Sequence, residues 1–232
     1  MRILDRADDL EAAGAAINEV KEGRGDIILK GNVKSHTLLK EILKKENGLK
    51  RGLLSDCLVT EDPASNRGRL IGVTDGGVNI EPSLAEKIEI VRNAIFVFQR
   101  LGFFKPLVAA LSAVETPVDS MRSSTDAAEL KRLNLSGVIK DCVVEGPLAL
   151  DNAISVGAAA QKGVASEVAG RADILLVPNI ESGNLLGKSL FWFSRCPLAH
   201  VIIGARVPVL IPSRTEDCES KSYSIALGVL CA

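Results

Sequence analysis

The chain has 232 residues, room for one α/β domain or two small ones at about 100 to 200 residues each. Hydrophobic residues make up 47% and charged residues 25%, which excludes a disordered, collagenous or disulfide-framework protein. With 28 Lys+Arg against 29 Asp+Glu the net charge is −1, so no long-range field gathers nucleic acid or anionic lipid, and any anion must be bound locally. Cysteine is odd in number, at 5, with no CxxC pair, and only 2 histidines accompany it. Neither a disulfide ladder nor a spaced zinc site follows, no metal is expected, and a reducing cytoplasm fits best. The opening MRILDRADDLEAA is charged where a signal peptide is apolar, and no run of about 18 apolar residues occurs that would span a bilayer. Neither export nor membrane insertion is expected. Aromatics are few, 6 Phe with Trp192 and Tyr223, so stacking of nucleic-acid bases is not on offer.

Helical and strand patterns alternate along the chain, which argues for βα units and a mainly parallel sheet. Leu10, Ala13, Ile17 and Val20 recur at helical spacing, Gly23 and Gly25 break the run, and residues 27–30 read as a short buried strand. Ser35 is placed to cap a second helix carrying Leu38, Leu39, Ile42 and Leu43, with Gly48 to end it. Strands follow at 57–59 and 70–73, then a TDGG turn. After Pro82 comes a long helix with Leu84, Ile88, Val91, Ile95 and Phe98 on one face. Residues 107–113 read as a strand, and the polar stretch behind them predicts a crossover into a second lobe near residue 114. That lobe is expected to hold a helix from Thr125, a strand at 139–144, a helix from Asp151, a strand at 173–178 and a helix from Gly183. Strands at 200–204 and 208–212 then close the sheet. A last helix from near Glu216 carries Tyr223, Ile225, Leu227 and Leu230, packing back on the first lobe.

Open α/β sheets bind ligands at the carboxyl ends of their strands, where helix N-termini present free N–H groups. Those ends read KGNVKS, TDGGVN, EGPLALDNA, PNIESGN and PSRTEDCESK. In the last, Ser213 and Arg214 follow a strand and precede a helix, placing a hydroxyl and a permanent cation beside a positive helix terminus. Alone, such a pair is an N-cap and a solvated side chain, and Glu216, Asp217 and Glu219 by default complement the helix dipole. Lys30 and Lys34 flank Gly31 and by themselves read as surface lysines sooner than as ligands; Asp75 by itself reads as a turn residue sooner than as a ligand. GxGxxG, GxxxxGK[ST] and GxSxG are all absent, so dinucleotide, P-loop and serine-hydrolase chemistries lose ground. Cys57 and Cys142 read as packed strand cysteines.

The blocks LKGNVKSHTLLKEIL, VTDGGVNIEPSLAEKIEIVRNAI, EGPLALDNAIS, VAGRADILLVPNIESGN and GARVPVLIPSRTEDCESKSYSIALG, in this order, resemble the phosphate acetyltransferase and phosphate butyryltransferase family, most closely its butyryltransferase branch. The resemblance implies a two-lobed α/β fold with mainly parallel sheets covered by helices, an architecture like that of isocitrate and isopropylmalate dehydrogenases. Residues 1–113 with 201–232 form the expected first lobe and 114–200 the second, with a cleft between them. Family members carry further βα units ahead of the point where this chain begins, so the chain reads as N-terminally shortened. The implied activity interconverts acyl-CoA plus phosphate with acyl phosphate plus CoA, on a butyryl or other short chain. Coenzyme A is then a substrate and no cofactor is tightly bound; the family also implies a homodimer.

By the same likeness Ser213 hydrogen-bonds the thiol or the reacting carbonyl and Arg214 holds the phosphoryl group. Lys30, Asp75, Asn184 and Lys188 are carried over as substrate-binding residues. Acetyltransferase members place an acidic pair six and seven residues after the serine, and its second member is assigned to deprotonate the thiol. Here that pair reads Glu219 and Ser220, leaving Glu219 as the candidate base. The competing expectation is a catalytically impaired, shortened homologue that only binds CoA or acyl phosphate.

Overall fold

The alternating pattern becomes eight helices and eight strands in the computed structural model, which describes residues 3–63 and 68–232. Helix α1 (Asp9–Lys21) starts where the Asp8 carboxylate takes the amides of Leu10 and Glu11, and it buries Ala13, Ile17 and Val20. Strand β1 (Ile28–Leu29) leads to α2 (Ser35–Leu43). Ser35 is the first helical residue rather than the cap; Lys34 takes the cap position without a side-chain bond. A 3-10 turn over Lys45–Asn47 ends on Gly48, whose φ of 65° is the left-handed conformation that glycine adopts without penalty.

Strand β2 (Lys50–Glu61) runs far past the expected 57–59, its buried residues continuing from Leu54 to Thr60. Strand β3 (Leu70–Thr74) follows, then α3 (Leu84–Arg100), opened by a reciprocal exchange in which Ser83 and Glu86 cap one another. Next come β4 (Leu107–Leu111) and α4 (Arg122–Leu135). Strand β5 (Val143–Leu148) starts later than expected because the Asn134 amide donates to the Ile139 and Cys142 carbonyls and its oxygen takes the Val144 amide, holding 136–142 as a loop.

The expected single helix from Asp151 is two short ones, α5 (Leu150–Ile154) and α6 (Val156–Gln161), split at an extended Ser155 whose hydroxyl caps the second. Then come β6 (Ile174–Leu176) and α7 (Ile180–Trp192), which is capped by Asn179 and starts three residues ahead of the expected Gly183. Strands β7 (Leu198–Ala205) and β8 (Val209–Leu210) precede α8 (Cys218–Cys231), capped by Asp217.

The chain divides into two compact units, Met1–Leu54 with Leu198–Ala232, and Ser55–Pro197. In the first, β1 and β8 pair in parallel and β7 joins β8 antiparallel. In the second, β2 pairs antiparallel with β3, after which β6, β4 and β5 follow in parallel. The expected boundary near 114 falls inside this second unit. Strand β4 is hydrogen-bonded between β6 and β5, so no division separates residues 107–111 from the chain beyond them.

Helix α8 turns a different face inward than its large residues predicted. Tyr223, Ile225 and Leu230 are exposed, while Ser220, Ser224, Leu227, Gly228 and Cys231 are buried. The Ser220 hydroxyl takes the Leu198 amide at 3.2 Å and the Ser224 hydroxyl takes the His200 amide at 2.9 Å, so the helix satisfies strand amides through its serines. Gly228 lets it approach closely: a Cβ there would stand 3.0 Å from the Leu210 methyls.

Candidate functional site

In the first unit, β1 and β8 lie in register, Leu29 beside Leu210, and the Lys30 amide donates to the Leu210 carbonyl at 2.9 Å. Lys30 and the Pro212-Ser213-Arg214 segment therefore leave from the same, carboxyl end of two neighbouring parallel strands, just ahead of the N-terminus of α8. Lys30 is 8% exposed, and its ammonium rests on the Gly31 carbonyl at 3.0 Å. Arg214 is exposed and holds no hydrogen bond or ion pair among the described residues. Its charge is free for an anion. The Ser213 hydroxyl lies 3.1 Å from that of Thr215.

The turn behind these residues is organised by Glu216, which the sequence assigned only to the helix dipole. Its side chain is 5% exposed, its Oε1 accepts the Ser213 amide at 2.9 Å, and the ring of His200 lies 3.6 Å away. Oε2 is buried without a hydrogen-bond partner among the described residues. The available signal was the spelling Ser213-x-x-Glu216, a capping-box pattern; burial of the glutamate has no mark in the sequence. Glu219, the expected base, sits exposed in the first turn of α8 and accepts from the Tyr223 hydroxyl at 3.0 Å. Ser220 serves the fold instead. Fully buried, it ties α8 to β7 through its hydroxyl and gives its amide to Asp217.

In the second unit Asp75 follows β3 and is 2% exposed. Its carboxylate gathers the amides of Gly77, Val78 and Asn79 and the Asn79 side chain, which fixes the TDGGVN loop. Burial, then the nearby Asp56, pushes its carboxyl up to about 6. The loop meets the first turn of α7 at two glycines: a Cβ on Gly76 would lie 2.8 Å from the Gly183 carbonyl carbon. Asn184 is exposed beside that contact, its amide 3.4 Å from the Gly76 carbonyl, and Lys188 stands exposed one turn further along α7. The structure thus brings Asn184 to the Asp75 loop and makes Asp75 an organiser of that loop.

All five cysteines are free, and Cys57 and Cys142 are buried. Burial pushes the Cys142 thiol up to about 11, so it stays protonated at neutral pH. Among the described residues no His, Cys, Asp and Glu side chains gather into a group able to hold a metal, and no helix is long and apolar enough to cross a membrane.

A family model described as phosphate acetyl/butaryl transferase matches residues 6–229. The chain belongs to this family. A probable phosphate butyryltransferase of Bacillus subtilis is 46% identical over 223 residues, 96% of this chain and 74% of that protein. A phosphate butyryltransferase of Clostridium beijerinckii is 40% identical over 230 residues, 99% of this chain and 76% of that protein. The crystal structure of a branched-chain phosphotransacylase from Enterococcus faecalis superposes with a TM-score of 0.89 at 39% identity, covering 98% of this chain and 81% of that one. Both Ser213-Arg214 and Lys30 lie within the stretch matched to the phosphate acetyl/butaryl transferase family.

Proposed function

We propose that the protein is a phosphate acyltransferase that interconverts acyl-CoA plus phosphate with acyl phosphate plus CoA, on a butyryl or similarly short acyl group. The observation that carries this reading is the family match across residues 6–229. The placement of Ser213, Arg214 and Lys30 at one end of a parallel strand pair supports it. Coenzyme A is a substrate here, and the chemistry calls for no tightly bound cofactor.

The reaction proceeds by direct displacement in a ternary complex. A phosphate oxygen attacks the thioester carbonyl, the C–S bond breaks, and the sulfur leaves as thiolate; in reverse the thiolate attacks and phosphate departs. Arg214 and Lys30 neutralise the phosphoryl charge, and Ser213 with α8 amides supports the developing oxyanion. A thiol of pKa about 8.5 needs a proton acceptor at neutral pH, and Glu219 or a phosphate oxygen supplies it. Asn184 and Lys188 are substrate-binding candidates of the second unit, and Asp75 contributes by fixing the loop beside Asn184.

The working form is a homodimer in the cytoplasm, acting on small molecules and on neither nucleic acid nor membrane. Five free cysteines support the reducing compartment. Exposed Tyr223, Val229 and Leu230 on α8 support a subunit contact. Thiol release is the test. With acyl phosphate and CoA the protein should consume free thiol in proportion to added enzyme; binding of CoA without consumption would overturn the reading.

A further inference from the structure

We infer that Glu216 is the positioning residue of this site, holding the turn that presents Ser213 and Arg214; the inference rests on the function proposed above. Ser213, Arg214, Thr215 and Glu216 spell the pattern in which a serine hydroxyl takes the amide three residues on, while the glutamate reaches back to the serine amide. Only half of that exchange is made. Glu216 Oε1 takes the Ser213 amide at 2.9 Å, but the Glu216 amide goes to the Ser213 carbonyl at 3.2 Å, and the cap of α8 is Asp217. The serine hydroxyl is therefore not spent on capping, and its contacts are with neighbouring Thr215 alone among the described residues.

Holding the serine by its backbone has a cost that a plain surface turn does not incur. The carboxyl is almost wholly buried, with His200 at 3.6 Å as its neighbour and Oε2 left without a hydrogen bond among the described residues. Buried polar atoms are nearly always satisfied, because each one left unmade costs free energy. An exception set directly against a catalytic serine marks a turn kept for its geometry. Glu219 and Asp217, a few residues on, are exposed and serve the helix terminus. The pinned Ser213 amide fixes the backbone from which the Ser213 hydroxyl and the Arg214 guanidinium both project, and misplacing either by about 1 Å costs rate rather than folding.

The test compares Glu216→Met, which fills the space without an acceptor, with Glu216→Gln, whose amide oxygen still accepts the Ser213 N–H. Both are measured in the full chain for thiol consumption, per folded protein, beside their melting curves. Glu216→Met is expected to lower kcat about tenfold or more with KM for CoA within about threefold, and Glu216→Gln to recover most of that loss. A Met variant keeping over half the parent kcat overturns the inference, as does a Gln variant as slow as Met when both fold. Amide hydrogen exchange at Ser213 gives a readout independent of turnover. Protection is expected in the parent and in Glu216→Gln and lost about tenfold in Glu216→Met, whereas equal exchange in all three overturns the placement. Should the parent consume no thiol, the acyltransferase reading fails by itself, and the exchange measurement still decides whether Glu216 holds Ser213.

Discussion

Arg214 offers the sharpest separation of chemistry from stability, because it is exposed and makes no contact that folding needs. Arg214→Ala should lower kcat/KM for phosphate by about a hundredfold or more, the scale of losing one charge-stabilising group, while the melting temperature stays put. Full phosphate-dependent activity in that variant would remove Arg214 from the mechanism. Glu219→Gln is expected to slow turnover at neutral pH by about tenfold or more if its carboxylate takes the thiol proton; unchanged turnover would leave that step to a phosphate oxygen. Asp75 makes a pH prediction. Its folded pKa of about 6 lies above the 3.8 of an ordinary aspartate, so the folded chain holds this proton more tightly than the unfolded one. Its contribution to stability is therefore greatest below about pH 4, falls as pH rises through 6, and levels off above, a span on the order of 3 kcal/mol. Urea unfolding of the parent and Asp75→Asn should show the parent losing stability relative to the variant between pH 4 and 7. A pH-independent difference would place the Asp75 pKa near its ordinary value. These residues differ in how far the sequence disclosed them. Ser213 and Arg214 stand out because a polar pair directly follows an apolar strand, whereas Glu216 looks like any acid ahead of a helix until its burial is seen.

At the scale of elements, the long apolar periodicities were legible and the ends were not. Helix α3 lies where its periodicity predicts, with Val91, Ile95 and Phe98 buried as expected, but Leu84 and Ile88 are only half-buried, and Lys87, Ile90, Ala94 and Val97 are buried as well. Strand β5 was misplaced because Ile139 and Cys142 look like strand residues, yet the Asn134 side chain holds that stretch as a loop. Helix α8 misled in another way: hydrophobic size pointed to Tyr223, Ile225 and Leu230, but the inward face uses serines to satisfy strand amides. Ser224→Ala should therefore destabilise the fold by about 1–3 kcal/mol, because it strips a buried amide of its acceptor rather than removing apolar bulk. A loss under about 0.5 kcal/mol by urea unfolding would mean that the His200 amide finds another acceptor.

Across the whole molecule, the fold class was legible from the alternation of elements, and so was the return of the chain to the first unit near residue 200, whereas the first boundary, expected near 114, was not. A composition shift marks where the surface becomes polar, while units are set by which strands share hydrogen bonds; β4 pairs with strands that follow it in sequence by more than thirty residues. The distribution of cysteines constrains the mechanism as well. A two-step route through an acyl-enzyme needs a nucleophile, yet Cys57, Cys142, Cys196 and Cys231 are buried and Cys218 alone is exposed. Burial raises the thiols of Cys142 and Cys196, which removes thiolate at neutral pH. In a direct displacement the acyl group passes from sulfur to phosphate oxygen without resting on the protein, so labelled phosphate can enter acyl phosphate only when CoA is present to carry the acyl group back and forth. Incubating the enzyme with acyl phosphate and isotopically labelled phosphate, with and without CoA, should give exchange only in its presence. Exchange without CoA would require a covalent acyl-enzyme and would turn attention to the Ser213 hydroxyl and to Cys218.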